Sequence, residues 1–208
     1  MTDFSDFLAT LKEWANRGDW TDALVTSFVR NAEEKLNAEL RIDRMISTND
    51  ALVTSRCAPV PPDWLEFDFI RLQCDSSPTG FVPIYYAPRA EFFRSDDGGA
   101  YGLYTIEGRT IHIGGAPNDT EGQTIRIDYY AEVPVFADDT PSWVYSKYQS
   151  LYRCAALMHA DLHAVGEEAA AGLMKQLAED AIQKLNAQWR YARASGSRLA
   201  RGHRRSFG

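Results

Sequence analysis

The apolar residues of this chain change their spacing twice, and this change constrains the fold more than any other feature. From Phe4 to Leu40 they recur at three- and four-residue spacing, which is typical of helices with one buried face. From about Arg44 to Phe136 short runs alternate and are punctuated by glycine and proline, as in antiparallel strands. After Asp139 the helical spacing returns. The sequence therefore predicts an α+β fold.

The two terminal regions predict four helices. Thr21 is the expected N-cap of the second helix. A last helix is expected from Glu167 to about Ala194, and Ser195, Gly196 and Ser197 are expected to end regular structure. Between them, one helix is predicted by a heptad seam that consists of Val144, Tyr148, Leu151, Ala155, Met158, Leu162 and Val165.

These elements predict an antiparallel helical bundle, made of two N-terminal and two C-terminal helices, with an inserted β-rich lobe and a flexible basic C-terminal arm. The expected boundaries are 1–43 and 137–194 for the helical pairs, 44–136 for the lobe and 195–208 for the arm. Within the lobe, Glu107-Gly108 predicts a tight hairpin turn. Subunit packing is assigned to six apolar residues of the predicted helices: Phe28, Leu36, Leu40, Tyr148, Leu151 and Leu162.

Charge is distributed unevenly along the chain. Residues 190–208 carry six arginines and no carboxylate side chain, whereas the rest has sixteen basic against twenty-nine acidic side chains, or −13. The acidic body is expected to repel a polyanion that approaches it broadside. The basic arm suits an acidic partner, either a protein groove or a nucleic acid.

Several classes of protein are disfavoured by the sequence. No stretch reaches the ~18 apolar residues of a membrane span, and the start of the chain is acidic, unlike a signal peptide. Cys57, Cys74 and Cys154 are odd in number and widely spaced, which predicts reduced thiols instead of a disulfide framework. Neither a nucleophile elbow nor a phosphate-binding glycine loop is present.

One polar cluster contains the residue types of a metal site. His159 and His163 are four residues apart in a predicted helix, with Asp161 between them and Glu167 beyond. Gly166 is expected to end the helix before Glu167, and a histidine beside an apolar seam is more often packed than ligating. We therefore predict no metal, cofactor or catalytic residue. A nucleic-acid-binding module that acts through the arm, and a metal-dependent or cell-wall hydrolase, stay as alternatives.

Stretches over nearly the whole chain resemble the head-to-tail adaptor proteins of tailed bacteriophages, also called tail tubular protein A or gatekeeper. One departure is Arg153-Cys154, at a place where such proteins commonly have a glycine. The run with the most specific resemblance contains Ala32, Glu33, Leu36, Asn37, Glu39, Leu40 and Arg41. The other matching residues include Trp14, Arg17, Asp19, Trp20, Pro61–Glu66, Asp128–Tyr130 and Ser195–Ser197.

The resemblance implies a structural protein of the virion neck that is assembled in the host cytoplasm. It implies a homo-oligomeric ring of about twelve copies between the portal protein and the tail or nozzle proteins, with double-stranded DNA passing through the lumen without sequence-specific binding. Contact with a membrane and enzymatic activity are not expected. The residues expected in the portal-binding arm are Arg193, Ser195, Gly196, Ser197, Arg198, Arg201, Arg204 and Arg205.

Overall fold

Two units make up the fold. The computed structural model describes residues 4–74, 80–94, 100–115, 122–138, 140, 142–160 and 168–203, with backbone alone for 168–171 and 195–203. The chain divides into a helical unit, Met1–Arg44 with Val133–Gly208, and a sandwich unit, Met45–Glu132. The helical unit is thus assembled from both ends of the chain, and the sandwich unit comes from one continuous stretch.

The described residues form six α-helices, one short 3₁₀ helix (Asp43–Met45) and eight strands. The helices are α1 (Phe4–Trp14), α2 (Asp22–Glu39), α3 (Arg89–Phe92), α4 (Trp143–Lys147), α5 (Gln149–Leu157) and α6 (Glu168–His203). The strands are β1 (Ile46–Leu52), β2 (Cys57–Pro59), β3 (Trp64–Gln73), β4 (Phe81–Pro83), β5 (Tyr85–Tyr86), β6 (Leu103–Glu107), β7 (Thr110–Ile113) and β8 (Thr124–Ala131).

The sandwich unit consists of two four-stranded sheets, in the orders β1-β8-β3-β4 and β2-β7-β6-β5. All pairings are antiparallel except β5 with β6, which is parallel. Apolar residues from the inward face of both sheets form one shared core, which includes Ile70 and Ile127 of the first sheet and Ile111 of the second. The predicted hairpin turn between β6 and β7 is confirmed, and Gly108 supplies its positive φ of 59°.

The helical unit begins with the two N-terminal helices that the periodicity predicts. The Oγ1 atom of Thr21 accepts a hydrogen bond from the Leu24 N–H at 3.3 Å, so the predicted N-cap of α2 is confirmed. Helix α2 contacts α1 and α5, and α5 in turn contacts α6. The apolar faces of α1 and α2 are buried at Phe7, Leu11 and Phe28.

The α+β class fits the structure loosely, but the predicted antiparallel bundle with two C-terminal helices is wrong. The heptad seam does not run as one helix, because Tyr148 leaves the helical conformation (φ −130°, ψ 53°) and separates α4 from α5. Seven residues of unbroken helix advance about 10 Å along the axis. The break brings the ring centroids of Tyr145 and Tyr152 to 6.0 Å, and both rings lie against Phe136. The helix thus breaks beside a cluster of three aromatic rings.

The prediction of a flexible arm from residue 195 is also wrong as to the backbone. Helix α6 is 36 residues long and continues through Ser195, Gly196 and Ser197 to His203. A glycine within a helix costs only about 1 kcal/mol relative to alanine, and the arginines, alanines and leucine around it are strong helix formers. Small residues are therefore not enough to end this helix. Residues 204–208, with Arg204 and Arg205, lie outside the described residues.

Candidate functional site

The C-terminal helix α6 carries the arm residues that the sequence singles out. Its backbone positions Arg193, Ser195, Gly196, Ser197, Arg198 and Arg201 along one continuous helix, which spans about 54 Å at 1.5 Å per residue. The side chain of Arg193 is exposed and its guanidinium lies 5.7 Å from the centre of the Trp189 ring. Cationic side chains near a helix C-terminus also interact favourably with the helix dipole.

Asn186 fixes the middle of α6 to the end of α2. Its Oδ1 atom accepts a hydrogen bond from the Arg41 N–H at 2.7 Å, and its Nδ2 atom donates to the Glu39 carbonyl at 2.8 Å. Lys35 adds ion pairs to Glu39 at 2.8 Å and to Glu179 at 3.5 Å. Burial alone would lower the pKa of Lys35, but these carboxylates hold it above its ordinary value. The helix is therefore anchored well before its basic end.

The residues assigned to subunit packing lie mostly inside the helical unit. The four buried residues are Phe28, Leu36, Leu40 and Leu151. Tyr148 is half-buried, and Leu162 lies outside the described residues. Burial of the first four stabilises this unit itself. Any contact between copies through the six residues stays a prediction.

A buried carboxylate holds the interior of the helical unit together. Glu33, which is 4% exposed, accepts hydrogen bonds from the Tyr152 hydroxyl at 2.7 Å and from the Phe136 N–H at 2.7 Å. Arg30 donates to Glu33 at 2.8 Å and to the Phe136 carbonyl at 3.0 Å. Burial, and then the Glu33 charge, raise the pKa of the Tyr152 hydroxyl far above its ordinary value. Glu33 thus joins α2, α5 and the segment before α4.

An exposed ring and a guanidinium form a second feature of this unit. The Trp14 side chain is 54% exposed, and the Arg153 guanidinium lies 4.8 Å from the centre of its ring. The Arg153 guanidinium also lies 6.0 Å from the ring centre of Tyr145. Tryptophan, tyrosine and arginine are the residues that dominate binding energy at protein interfaces. Sequence reasoning missed this pair, because its members are far apart in the chain.

The sandwich unit also exposes aromatic side chains, around strand β5 and helix α3. Tyr85, Tyr86, Phe93 and Tyr101 are all exposed although their rings are large. Strand β5 pairs with β6 through hydrogen bonds such as that from the Tyr85 N–H to the Gly102 carbonyl at 2.8 Å. Exposed apolar residues mark an interaction surface only where they are contiguous.

Within the described residues, the side chains considered for catalysis or metal binding do not form a metal site. His159 lies just after α5, whereas Asp161, His163 and Glu167 are outside the described residues. Across the described ranges, no group of three or more His, Cys, Asp or Glu side chains could hold a metal ion.

Sequence reasoning missed a contact between a thiol and an imidazole. The Sγ atom of Cys57 lies 3.5 Å from Nδ1 of His112, and Nε2 of His112 lies 3.9 Å from Glu107. The register of β2 and β7 places Cys57 opposite His112, a pairing that no local sequence pattern signals.

The comparison with known families identifies the family of the chain. The family model described as SU10 adaptor protein matches residues 2–204. The chain belongs to this family. The resemblance to phage head-to-tail adaptors is therefore confirmed. No curated protein matches the chain.

As an SU10 adaptor family member, the protein has a structural role as a head-to-tail adaptor in the neck of the virion. It associates with portal and tail components of the phage. Within the part of the chain that the structure describes, no helix combines the length and the apolar character needed to cross a membrane.

Proposed function

We propose that the protein forms a ring of about twelve copies between portal and tail, that DNA passes through its lumen, and that the basic end of α6 binds the portal. The observation that carries the proposal is the position of the arginines. They extend one long helix beyond the anchor at Asn186, and the side chains of residues 190–194 are exposed. An arginine-rich helix binds carboxylates of an acidic groove in bidentate fashion.

The charge of the rest of the chain supports the passage of DNA. Residues 1–189 carry a net charge of −13, so their surface repels the phosphate backbone. A duplex moving through an acidic lumen is not retained by counterion release, which dominates non-specific binding to basic surfaces. The acidic body and the basic helix end therefore have separate tasks.

The portal-binding role is tested by truncation. Removal of residues 195–208 leaves the contacts of Glu179 and Asn186 in place, so we expect the fold to survive and portal binding in a pull-down to be lost. A matched pair of variants separates charge from length. Replacing Arg198, Arg201, Arg204 and Arg205 by glutamine should weaken binding as the truncation does, and replacement by lysine should weaken it less. Unchanged portal capture by the truncated chain would refute this role.

The same variants test the alternative that the arm binds nucleic acid. That alternative requires duplex DNA to bind to the full chain with an affinity that falls steeply with salt, and the truncation to abolish this binding. We expect instead that DNA binding is weak in the full chain and that only portal binding responds to the truncation.

A further inference from the structure

A thiol, an imidazole and a carboxylate follow one another on the outer face of the second sheet. The Sγ atom of Cys57 lies 3.5 Å from Nδ1 of His112, and Nε2 of the same ring lies 3.9 Å from Oε2 of Glu107. The neighbouring residues Ala58 and Ile111 belong to the apolar core instead. A nucleophilic atom, a proton acceptor and an anion thus lie in the order that activates a nucleophile.

The register of three strands fixes this arrangement. Cys57 of β2 pairs with His112 of β7, and His112 pairs with Thr105 of β6. Residues directly opposite each other on antiparallel strands have their side chains on one face. Thr105 is 1% exposed, and its Oγ1 atom has no hydrogen-bond partner in the part of the chain that the structure describes. Polar atoms left in this state inside a fold mark strain or a catalytic or redox role.

A tight turn holds the backbone of Cys57 in place. Ser55 and Arg56 have positive φ values of 52° and 61°, as a type I′ turn requires at both central positions. Thr54 and Cys57 close the turn with two backbone hydrogen bonds of 2.9 Å. Neither serine nor arginine is favoured at positive φ, so the surrounding structure maintains this conformation. The sulfur of Cys57 therefore meets the imidazole from a preformed position.

The Glu107 carboxylate determines what the imidazole can do. Its Oε1 atom pairs with Arg89 of α3 at 2.8 Å, and its Oε2 atom faces His112. A carboxylate at Nε2 favours the tautomer that carries its proton there, which leaves Nδ1 to accept the thiol proton. The centre of the Phe93 ring lies 5.9 Å from that of His112, in an edge contact. Cys57 and His112 are both half-buried, so a small molecule can reach the sulfur.

We propose that Cys57 is a reactive thiol that exchanges with small disulfides, with His112 as its general base and Glu107 as a positioning residue. As Sγ attacks one sulfur of the disulfide, the thiol proton passes to Nδ1 of His112. A bond forms between Sγ and that sulfur, the S–S bond of the small molecule breaks, and its second sulfur leaves as a thiolate that takes up the proton. Cys57 is thereby oxidised to a mixed disulfide, and one half of the small molecule is reduced to a thiol.

This modification is independent of the proposed ring and of portal binding. Disulfides are rare in a reducing cytosol and persist at the surface of virions. The site therefore carries a free thiol in reducing surroundings and a mixed disulfide in oxidising ones. Cys154 is buried, and burial raises the pKa of its thiol, so we expect it to stay unmodified.

The test uses the full chain and bis(2-hydroxyethyl) disulfide, a neutral reagent. Mass spectrometry of peptides gives the rate at which each cysteine is modified, and dithiothreitol should reverse the modification. We expect Cys57 of the native chain to react about tenfold or more faster than Cys57 of the urea-denatured chain. His112→Gln should lower the native rate to that of the denatured chain, because glutamine cannot accept the proton.

Thr110→Val is the matched control. Thr110 lies on the same face of β7 as His112 but opposite Pro59, so the rate at Cys57 should not change. Glu107→Gln should slow the reaction, and Glu107→Asp should restore part of the rate because it keeps the charge. A purely structural role of Glu107 would not give that rescue. Circular dichroism checks that each variant folds.

Three results would overturn the proposal. The first is a native Cys57 that reacts no faster than in the denatured chain, a comparison that needs no variant. The second is a folded His112→Gln chain that reacts as fast as the wild type. The third is preferential modification of Cys74, which is also half-buried, since exposure and not the imidazole would then determine reactivity.

Discussion

The helical unit and the sandwich unit place their polar side chains in opposite ways. The helical unit places a carboxylate in its interior, where Glu33 connects to Phe136 and Tyr152 across more than a hundred residues of sequence. The sandwich unit has an apolar core and arranges charge pairs on the outer face of its first sheet. In the helical unit polar contacts connect buried elements, whereas in the sandwich unit they lie on the surface of the sheet.

The outer face of the sandwich illustrates the second strategy. Arg126 donates to Asp50 at 2.7 and 2.6 Å, and Arg71 pairs with Asp128 on the neighbouring strands. The register places Arg71 opposite Arg126, so the two carboxylates separate like charges. The exposed Arg126–Asp50 pair contributes little stability, because water competes with it and side-chain entropy is lost. The comparison therefore predicts that the loss of a polar contact costs more stability in the interior of the helical unit than on the outer face of the sandwich.

The largest effect is expected from Glu33→Ala. The substitution leaves the Tyr152 hydroxyl and the Phe136 N–H without their acceptor and removes the carboxylate partner of Arg30, at a cost of about 3–5 kcal/mol. Hydrogen exchange should show lost protection in α2 and α5 and unchanged protection in the sandwich strands. The control is Glu34→Ala on the exposed face of the same helix, which should change stability by less than about 0.5 kcal/mol. Equal loss of protection in both units would break the comparison.

A smaller effect is expected from Ile127→Val in the apolar core of the sandwich. Ile127 is fully buried, and removal of one methylene should cost about 0.5–1.5 kcal/mol. Protection should fall in β8 and its neighbours while α2 is unaffected. Leu52→Ala on an exposed position of β1 is the control and should be close to neutral. A larger loss for Leu52 than for Ile127 would show that the core is wrongly assigned.

The smallest effect is expected from Asp50→Asn, which removes the exposed pair with Arg126. Hydrogen bonds from Arg126 lower the pKa of Asp50, so the stabilisation is present above the ordinary pKa of aspartate and is lost as pH falls through the lowered value. Urea unfolding at neutral pH should show a smaller decrease in the free energy of unfolding than Ile127→Val causes. Added salt should make this decrease smaller still. If the loss of unfolding free energy did not depend on salt, the exposed ion pair would not be its source.

Much of the fold follows from local sequence patterns. The N-cap at Thr21, the apolar face of α2 and the hairpin at Gly108 each depend on residues within a few positions of one another. For the same reason the alternation in β8 gives the correct inward positions, Ile125 and Ile127. Patterns of this range are decided by backbone geometry and burial alone.

The failures of prediction share a physical origin. The break at Tyr148 depends on how Tyr145 and Tyr152 pack against Phe136, and the heptad spacing carries no record of that packing. The contact of Arg153 with Trp14 and that of Cys57 with His112 join residues far apart in sequence. For the arm, the sequence identifies the charge but overstates the effect of Gly196 on the helix.

The discontinuous origin of the helical unit has a consequence for the order of events during translation. All eight strands of the sandwich lie between Ile46 and Ala131, so this unit can fold on the ribosome while α5 and α6 are still being made. The Glu33 carboxylate cannot meet Tyr152 until 119 further residues have been added. Water hydrates this carboxylate until then, so the helical unit closes only after the strands of the sandwich have been made.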